Sequence, residues 1–232
     1  MAGARQRAGA TLTAGFMPGP RTGLLGGSFN PAHGGHRRIT RFAMQALGLD
    51  EAWWLVSPGN PLKPKAGMAP LNARLKSAQK MARRLPIRPT AIERELGTVY
   101  TADTLRALTR RYPRRQFIWL MGSDNLAQFH RWKNWRDIAR IMPIAVIARP
   151  GYEGAAMASP AMAWLRRYRV SAAGFRSRGR WSAPALVLLR FDPDPRSATA
   201  LRRADPEWAT HYSDNPVRDF LTHRLINPQE GA

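Results

Sequence analysis

The sequence predicts an α/β protein built on a doubly wound parallel sheet, with a small helical portion at its C-terminal end. Three observations predict it. Short apolar runs alternate with amphipathic stretches of helical period, and the turns that follow the runs are short. Strands linked through helices run parallel, and a parallel sheet needs helices on both faces. Size is the third: 232 residues, 44% of them hydrophobic and eight of them tryptophan, can bury one sizeable core.

Residues 1–20 are Ala/Gly-rich, basic and aperiodic, and read as a flexible N-terminal extension without the continuous apolar core of a secretory signal. A single domain is expected over residues 21–226 and a tail over 227–232. Leu24–Gly26 is a short buried strand. His36–Leu47 carries Ile39, Phe42, Ala43, Ala46 and Leu47 at helical spacing, with Gly48 as its stop. The run "AWWLVS" (Ala52–Ser57) is the next strand and ends in the loop "PGNPLKPKAGMAP"; a helix at Leu71–Leu85 and a strand near Ile87–Ile92 follow. Thr101–Arg111 is a helix with Thr101 as its cap and Asp103 and Thr104 in its first turn. "QFIWLMGSD" is a buried strand running into a turn, followed by short helices around "NLAQFHRWKNWRDIARI", the strand "PIAVIAR" and a helix at Ala161–Tyr168. "SAAGFRSRGRWSAP" has no period and reads as a loop. "ALVLLRF" is the last strand, and helices near Ala198–Arg203 and Pro216–Leu225 close the chain.

In such sheets ligands sit outside the carboxyl ends of the strands, where the strand order reverses. The unexplained segments "GGSFNPAHGGH", "PGNPLKPK" and "GSD" all follow strands, which places them along one edge of the sheet. Gly26 and Gly27 permit a tight turn and bring bare backbone to an anion, and Gly34 and Gly35 open a helix whose free N–H groups favour negative charge. His33 and His36 stand three apart on that first turn, on one side of it. On these residues alone the pair suits a polyphosphate, a metal ion or the surface, although no carboxylate or third histidine lies near them for a metal.

The chain holds 37 Lys and Arg against 15 Asp and Glu, a net charge of +22. Its first acid is Asp50, and none lies between Glu153 and Asp192. A polyanion such as RNA is one reading. Solvated arginines whose field favours a phosphate-rich substrate are the preferred one, because no aromatic-basic nucleic-acid motif accompanies the charge. The basic segment 166–180 reads as surface embellishment ahead of a substrate-covering loop. There is no cysteine, which rules out disulfides and fits a reducing compartment; the cytoplasm is the expected location. No apolar run approaches the roughly 18 residues of a membrane span, so no membrane is expected as a partner.

The string "GGSFNPAHGGH" resembles the phosphate-binding signature of the nucleotidylyltransferase superfamily, matching at Gly26, Gly27, Ser28, Phe29, Pro31, His33, Gly35 and His36. Asn30 stands where that superfamily usually has Asp, and can still cap a turn through its side-chain oxygen. Within the superfamily, "ELGTVYTADTLRAL", "MGSDNLAQFHRWKNW" (Gly122, Asp124, Leu126, Trp132), "PRSATALR" (Ser197, Thr199, Leu201, Arg202) and "PGNPLKPK" resemble, in order, segments of the bacterial nicotinate-nucleotide adenylyltransferase family. In the last, Lys65 keeps the family's lysine and Pro64 replaces its histidine. Read without the resemblance, "YTADTL" is an ordinary helix start, Trp132 and Trp135 are core residues, and Lys63, Lys65 and Arg74 read equally as solvated charges.

The resemblance covers about Gly23 to Leu225 and implies a Rossmann-like nucleotidylyltransferase fold. It also implies transfer of the adenylyl group of ATP to nicotinate mononucleotide. The implied ATP site is Gly26, Gly27, Ser28, Phe29, His33, His36, Gly122, Asp124, Ser197, Thr199 and Arg202, with His33, His36 and Arg202 catalytic and His36 nearest the reacting phosphate. The implied mononucleotide site is Lys65, Tyr100, Thr101, Asp103, Thr104 and Trp132, with Trp135 as an alternative platform for the pyridine ring. Mg²⁺ is expected with ATP, held mainly by substrate phosphates, with no metal site of the protein's own. A monomer or homodimer is expected. The rival readings are another nucleotidylyltransferase, such as a pantetheine-phosphate adenylyltransferase, and a basic RNA-binding protein on a nucleotide-binding fold.

Overall fold

Leu24 and Leu25 sit at the centre of the first strand, β1 (Arg21–Gly27), and enter the cores on opposite faces of the sheet because side chains alternate along a strand. The structure is a computed structural model that describes residues 19–59, 67–148, 151, 153–191 and 197–228. Helix α1 (Gly34–Leu47) buries Thr40, Ala43 and Leu47 and stops at Gly48, whose φ of 65° is the left-handed conformation glycine allows. Strand β2 (Glu51–Val56) is buried at all six positions, with Trp53 and Trp54 divided between the two cores. Then come α2 (Leu71–Ala82), β3 (Ile87–Thr90), α3 (Ile92–Leu96), α4 (Thr101–Arg111) and β4 (Gln116–Gly122). Short helices α5 (Ser123–Gln128) and α6 (Trp135–Ile141) flank a 3-10 turn at Phe129–Arg131 and lead to β5 (Ile144–Ile147). Beyond it lie α7 (Glu153–Met157), α8 (Pro160–Leu165), β6 (Arg169–Val170), α9 (Ala172–Arg176), β7 (Leu186–Leu189), α10 (Ala198–Ala204), α11 (Thr210–Ser213), β8 (Val217–Arg218) and β9 (Leu225–Ile226).

Seven strands form one sheet in the order β3-β2-β1-β4-β5-β7-β6, and every pairing in it is parallel. The chain steps outward from β1 to β3, then returns to β4 on the other side of β1. Strand order therefore reverses between β1 and β4, and a crevice opens outside their carboxyl ends. Phe29, Leu47, Trp54 and Leu75 build the core on one face of the sheet; Trp53, Leu105, Trp119 and Phe129 build the core on the other.

Four local expectations change. Helix α2 stops at Ala82, because Arg83 is extended and Arg84 takes φ 62°. Thr101 does not cap α4: the N-cap position is Tyr100, without a side-chain cap. The segment read as a loop contains α9, which Ser171 caps by accepting from Gly174 N at 3.1 Å. Residues 216–225 are not helical but form the antiparallel pair β8–β9. There buried Asp219 accepts from Leu221 N, Thr222 N, Ala91 N and Thr90 Oγ1, so its carboxylate ties a turn to the end of β3 in place of a helical ladder.

The basic segment 166–180 is bound at the opposite end of the sheet from the crevice. Arg21, at the start of β1, donates to the carbonyls of Arg176 and Arg178, while Arg176 donates to the Gln45 carbonyl near the end of α1. These bonds hold the segment against the start of β1 and the end of α1.

Candidate active site

The crevice deepens into a cavity of about 620 Å³ lined by the ends of β1, β2, β4 and β5, the start of α1, α3, the start of α4, the 3-10 turn and the start of α10. Gly26 is required here by close packing: a Cβ would lie 2.5 Å from Cη2 of Trp119 on the neighbouring strand. The chain then turns through Phe29, at φ 46°, whose ring stacks on Trp54 at 5.1 Å and touches His36 at 4.9 Å.

His33 and His36 cap α1 together. His33 Nδ1 accepts from Gly35 N at 3.1 Å, and His36 Nδ1 accepts from His33 N at 3.2 Å, an imidazole version of the capping box. A nitrogen that accepts carries no proton, so each neutral ring holds its proton on Nε2 and offers that edge as a donor. The ring centroids are 3.9 Å apart, and both residues line the cavity. Thr40 Oγ1 donates to His36 O at 2.7 Å and accepts from Trp54 Nε1 at 2.9 Å, which anchors this turn to the core.

Three polar side chains, none of them acidic, hold the loop around these histidines. Asn30 is buried; its Nδ2 donates to Gly67 O at 2.8 Å and its Oδ1 accepts from Ala69 N at 3.2 Å. It ties one loop to another and does not cap its own turn, and an aspartate could not make the first of these bonds. Arg202 of α10 donates to the Asn30 carbonyl at 2.6 Å. Arg74, fully buried on α2, donates to the carbonyls of Ala69 (2.8 Å), Ser28 (2.9 Å), Ser57 (2.6 Å) and Pro58 (3.3 Å). Its solvated reading is corrected: burial lowers its pKa to about 10, still charged at neutral pH.

Beyond the Gly26–His36 segment the cavity is walled by Glu93, Val99, Tyr100, Thr101, Trp119, Trp132 and Lys133. The first N–H groups of α4 have no side-chain cap and so remain available there. Trp132 lines the cavity, whereas Trp135 packs edge-on against Phe129 and Trp164. Thr104 is buried behind the wall, bonded to Thr98 Oγ1, Glu93 Oε1 and Tyr100 O. Asp103 is not part of the lining; it pairs with Arg106 at 3.0 Å. Gly122 and Asp124 line the floor, and a Cβ at Gly122 would collide with Asp124 Oδ1. Ser28, Ser197 and Thr199 also line the cavity. Ser197 caps α10 by accepting from Ala200 N at 3.2 Å. Lys65 and Lys63 lie outside the described residues.

Glu93 and Lys133 were missed in the sequence. Burial lifts the Glu93 carboxyl to about 7, against hydrogen bonds from Thr104 and Ser57 that favour the ionised form. Because the folded state holds this proton more tightly than the unfolded chain, stability is lost as pH rises from about 4.5 through about 7. The loss is of order 2–3 kcal/mol. Glu93→Gln is therefore expected to gain on the parent by about 2 kcal/mol between pH 5 and pH 8 in urea denaturation; parallel pH profiles would contradict it.

A family model described as cytidylyltransferase-like matches residues 24–204. A protein of Erythrobacter litoralis named "Probable nicotinate-nucleotide adenylyltransferase" is 72% identical over 206 residues, which cover 89% of this chain and 94% of the relative. One of the same name from Parvibaculum lavamentivorans is 52% identical over 187 residues, covering 81% and 93%. Among solved structures, nicotinic acid mononucleotide adenylyltransferase of Plasmodium falciparum complexed with NaAD shares the fold, with a TM-score of 0.61 at 14% identity over 79% of this chain and 83% of that one.

Proposed function

We infer the reaction from kinship: the chain belongs to the cytidylyltransferase-like family and, within it, to the nicotinate-nucleotide adenylyltransferases. It transfers the adenylyl group of ATP to nicotinate mononucleotide, forming nicotinate adenine dinucleotide and pyrophosphate on the way to NAD. The observation that carries the reading of the site is the meeting, in one cavity, of the His33–His36 donor pair and the uncapped start of α4.

An oxygen of the mononucleotide's 5′-phosphate attacks the α-phosphorus of ATP, the bond to the bridging oxygen breaks, and pyrophosphate leaves. The attacking phosphate has a second pKa near 6 and arrives largely ionised at pH 7, so no general base is needed. Catalysis is then in-line positioning and stabilisation of spread negative charge. The Nε2–H edges of His33 and His36 donate to the phosphates, His36 closest to the α-phosphate, and the backbone of Gly26–Ser28 lies against the triphosphate. Arg202 brings positive charge to the same loop from α10, with Ser197 and Thr199 beside it; Gly122 and Asp124 border adenosine. Phe29 holds His36 in place from behind.

The pyridine ring lies against Trp132, with its carboxylate at the N–H groups of Thr101 and Ala102; Tyr100 and Thr104 shape that turn, and Asp103 stands in it, paired with Arg106. The cavity's described carboxylates are Glu93 and Asp124, and no group of three or more metal-ligating side chains occurs among the described residues. That donor set fits Mg²⁺ arriving on ATP, held by phosphate oxygens and water. No helix among the described residues is long and apolar enough to cross a membrane, and the reading places the reaction in the cytoplasm.

Pyrophosphate release across a panel of nucleoside triphosphates and phosphorylated acceptors tests the proposal. ATP with nicotinate mononucleotide is expected to be the fastest pair. Faster release with phosphopantetheine, or salt-sensitive RNA binding without release, would overturn it.

A further inference from the structure

We propose that the Lys133 side chain reads the carboxylate of the pyridine substrate and so determines the preference for the acid over the amide, a proposal that rests on the reaction assigned above. Lys133 follows Trp132 in the cavity wall. Its ammonium is held 4.0 Å from the centroid of the Tyr100 ring, and Tyr100 is the residue from which α4 springs. A long, exposed lysine is ordinarily mobile; stacking on an aromatic face restricts this one to the rim where the first N–H groups of α4 point outward.

Charge pairing leaves this cation, like Arg131 in the same lining, without a carboxylate partner among the described residues, and its seat on the Tyr100 ring sets it apart. The nearby carboxylates on α4 and α6 are committed elsewhere: Asp103 to Arg106, and Asp137 to Arg106 and Arg140. Among the described residues no carboxylate pairs with Lys133, so its counter-ion is left for something that enters the cavity. Glu93, the acid in this part of the wall, accepts from Thr104 Oγ1, and burial raises its pKa to about 7. The α4 N–H groups donate to either a carboxylate or an amide oxygen and discriminate weakly between them. A full positive charge favours the anion alone, and in a partly enclosed site that difference is worth about tenfold in binding.

The test compares the parent with Lys133→Met, which keeps the stem on Tyr100 and deletes the charge, and with Lys133→Arg. Steady-state KM is measured for nicotinate mononucleotide, nicotinamide mononucleotide and ATP, and dissociation constants for both mononucleotides are read from tryptophan fluorescence. In Lys133→Met the acid should bind about tenfold more weakly, with the amide and ATP changed less than twofold, and Lys133→Arg should recover most of the loss. An unchanged acid-to-amide ratio in Lys133→Met, or an equal loss for ATP, overturns the proposal. If the parent itself releases no pyrophosphate with nicotinate mononucleotide, the assigned reaction fails first and this proposal falls with it. A parent that works and a ratio that does not move would overturn this proposal alone.

Discussion

Replacing His36 by alanine is expected to lower turnover of ATP with nicotinate mononucleotide by about 10²–10³-fold, the usual cost of one preorganised donor to a transition-state oxyanion. The ring does two separable things. Its Nδ1 accepts the His33 N–H and caps α1, whereas its Nε2–H is the edge assigned to phosphate in the proposed reaction. Losing the cap costs about 1 kcal/mol of stability. The two contributions are divided by paired variants. His36→Asn places an acceptor near the position of Nδ1 and is expected to keep the melting temperature while losing rate. His36→Gln places a donor near Nε2 and is expected to recover part of the rate. Single-turnover kinetics and thermal denaturation on the same preparations provide both readouts. Near-normal turnover in His36→Ala would remove this histidine from the mechanism.

Arg74→Met should be the most destabilising single change around the site, at about 3–4 kcal/mol in urea denaturation, and should raise the KM for ATP with it. Four carbonyls, of Ser28, Ser57, Pro58 and Ala69, share this one guanidinium. Methionine fills the volume but leaves those acceptors buried without the donor, and the loops after β1 and β2 lose their common tie. Arg74→Lys has the charge but only a single nitrogen, and is expected to fall between the two. Stability within about 1 kcal/mol of the parent in Arg74→Met would show that water satisfies these groups instead.

Much of the site was legible in the chain because its chemistry is local. His33 and His36 cap the same turn that they serve, so their spacing encodes their geometry. Glycines 26 and 27 end an apolar run, and Tyr100–Thr104 is a helix start; both are patterns within a few residues. Long-range partners left no such trace. Asn30 reaches Gly67 and Ala69 in another loop, and Asp219 closes the end of β3 from near the C-terminus. Arg74 read as a solvated charge because arginines usually are, and only the convergence of two loops buries it. Lys133 looked like one more cation in a chain of net charge +22, and only its position over Tyr100 distinguishes it.

By itself the sequence determined the alternation of strands and helices, hence the parallel sheet, and the glycine- and histidine-rich turn that follows its first strand. Those properties follow from periodicity and from contacts within a single turn. The tertiary structure decided which loops meet over the crevice, that 216–225 pairs as strands, and which charges are buried or stacked. Burial and pairing across the chain depend on what surrounds a group in space, and no spacing along the chain carries that information.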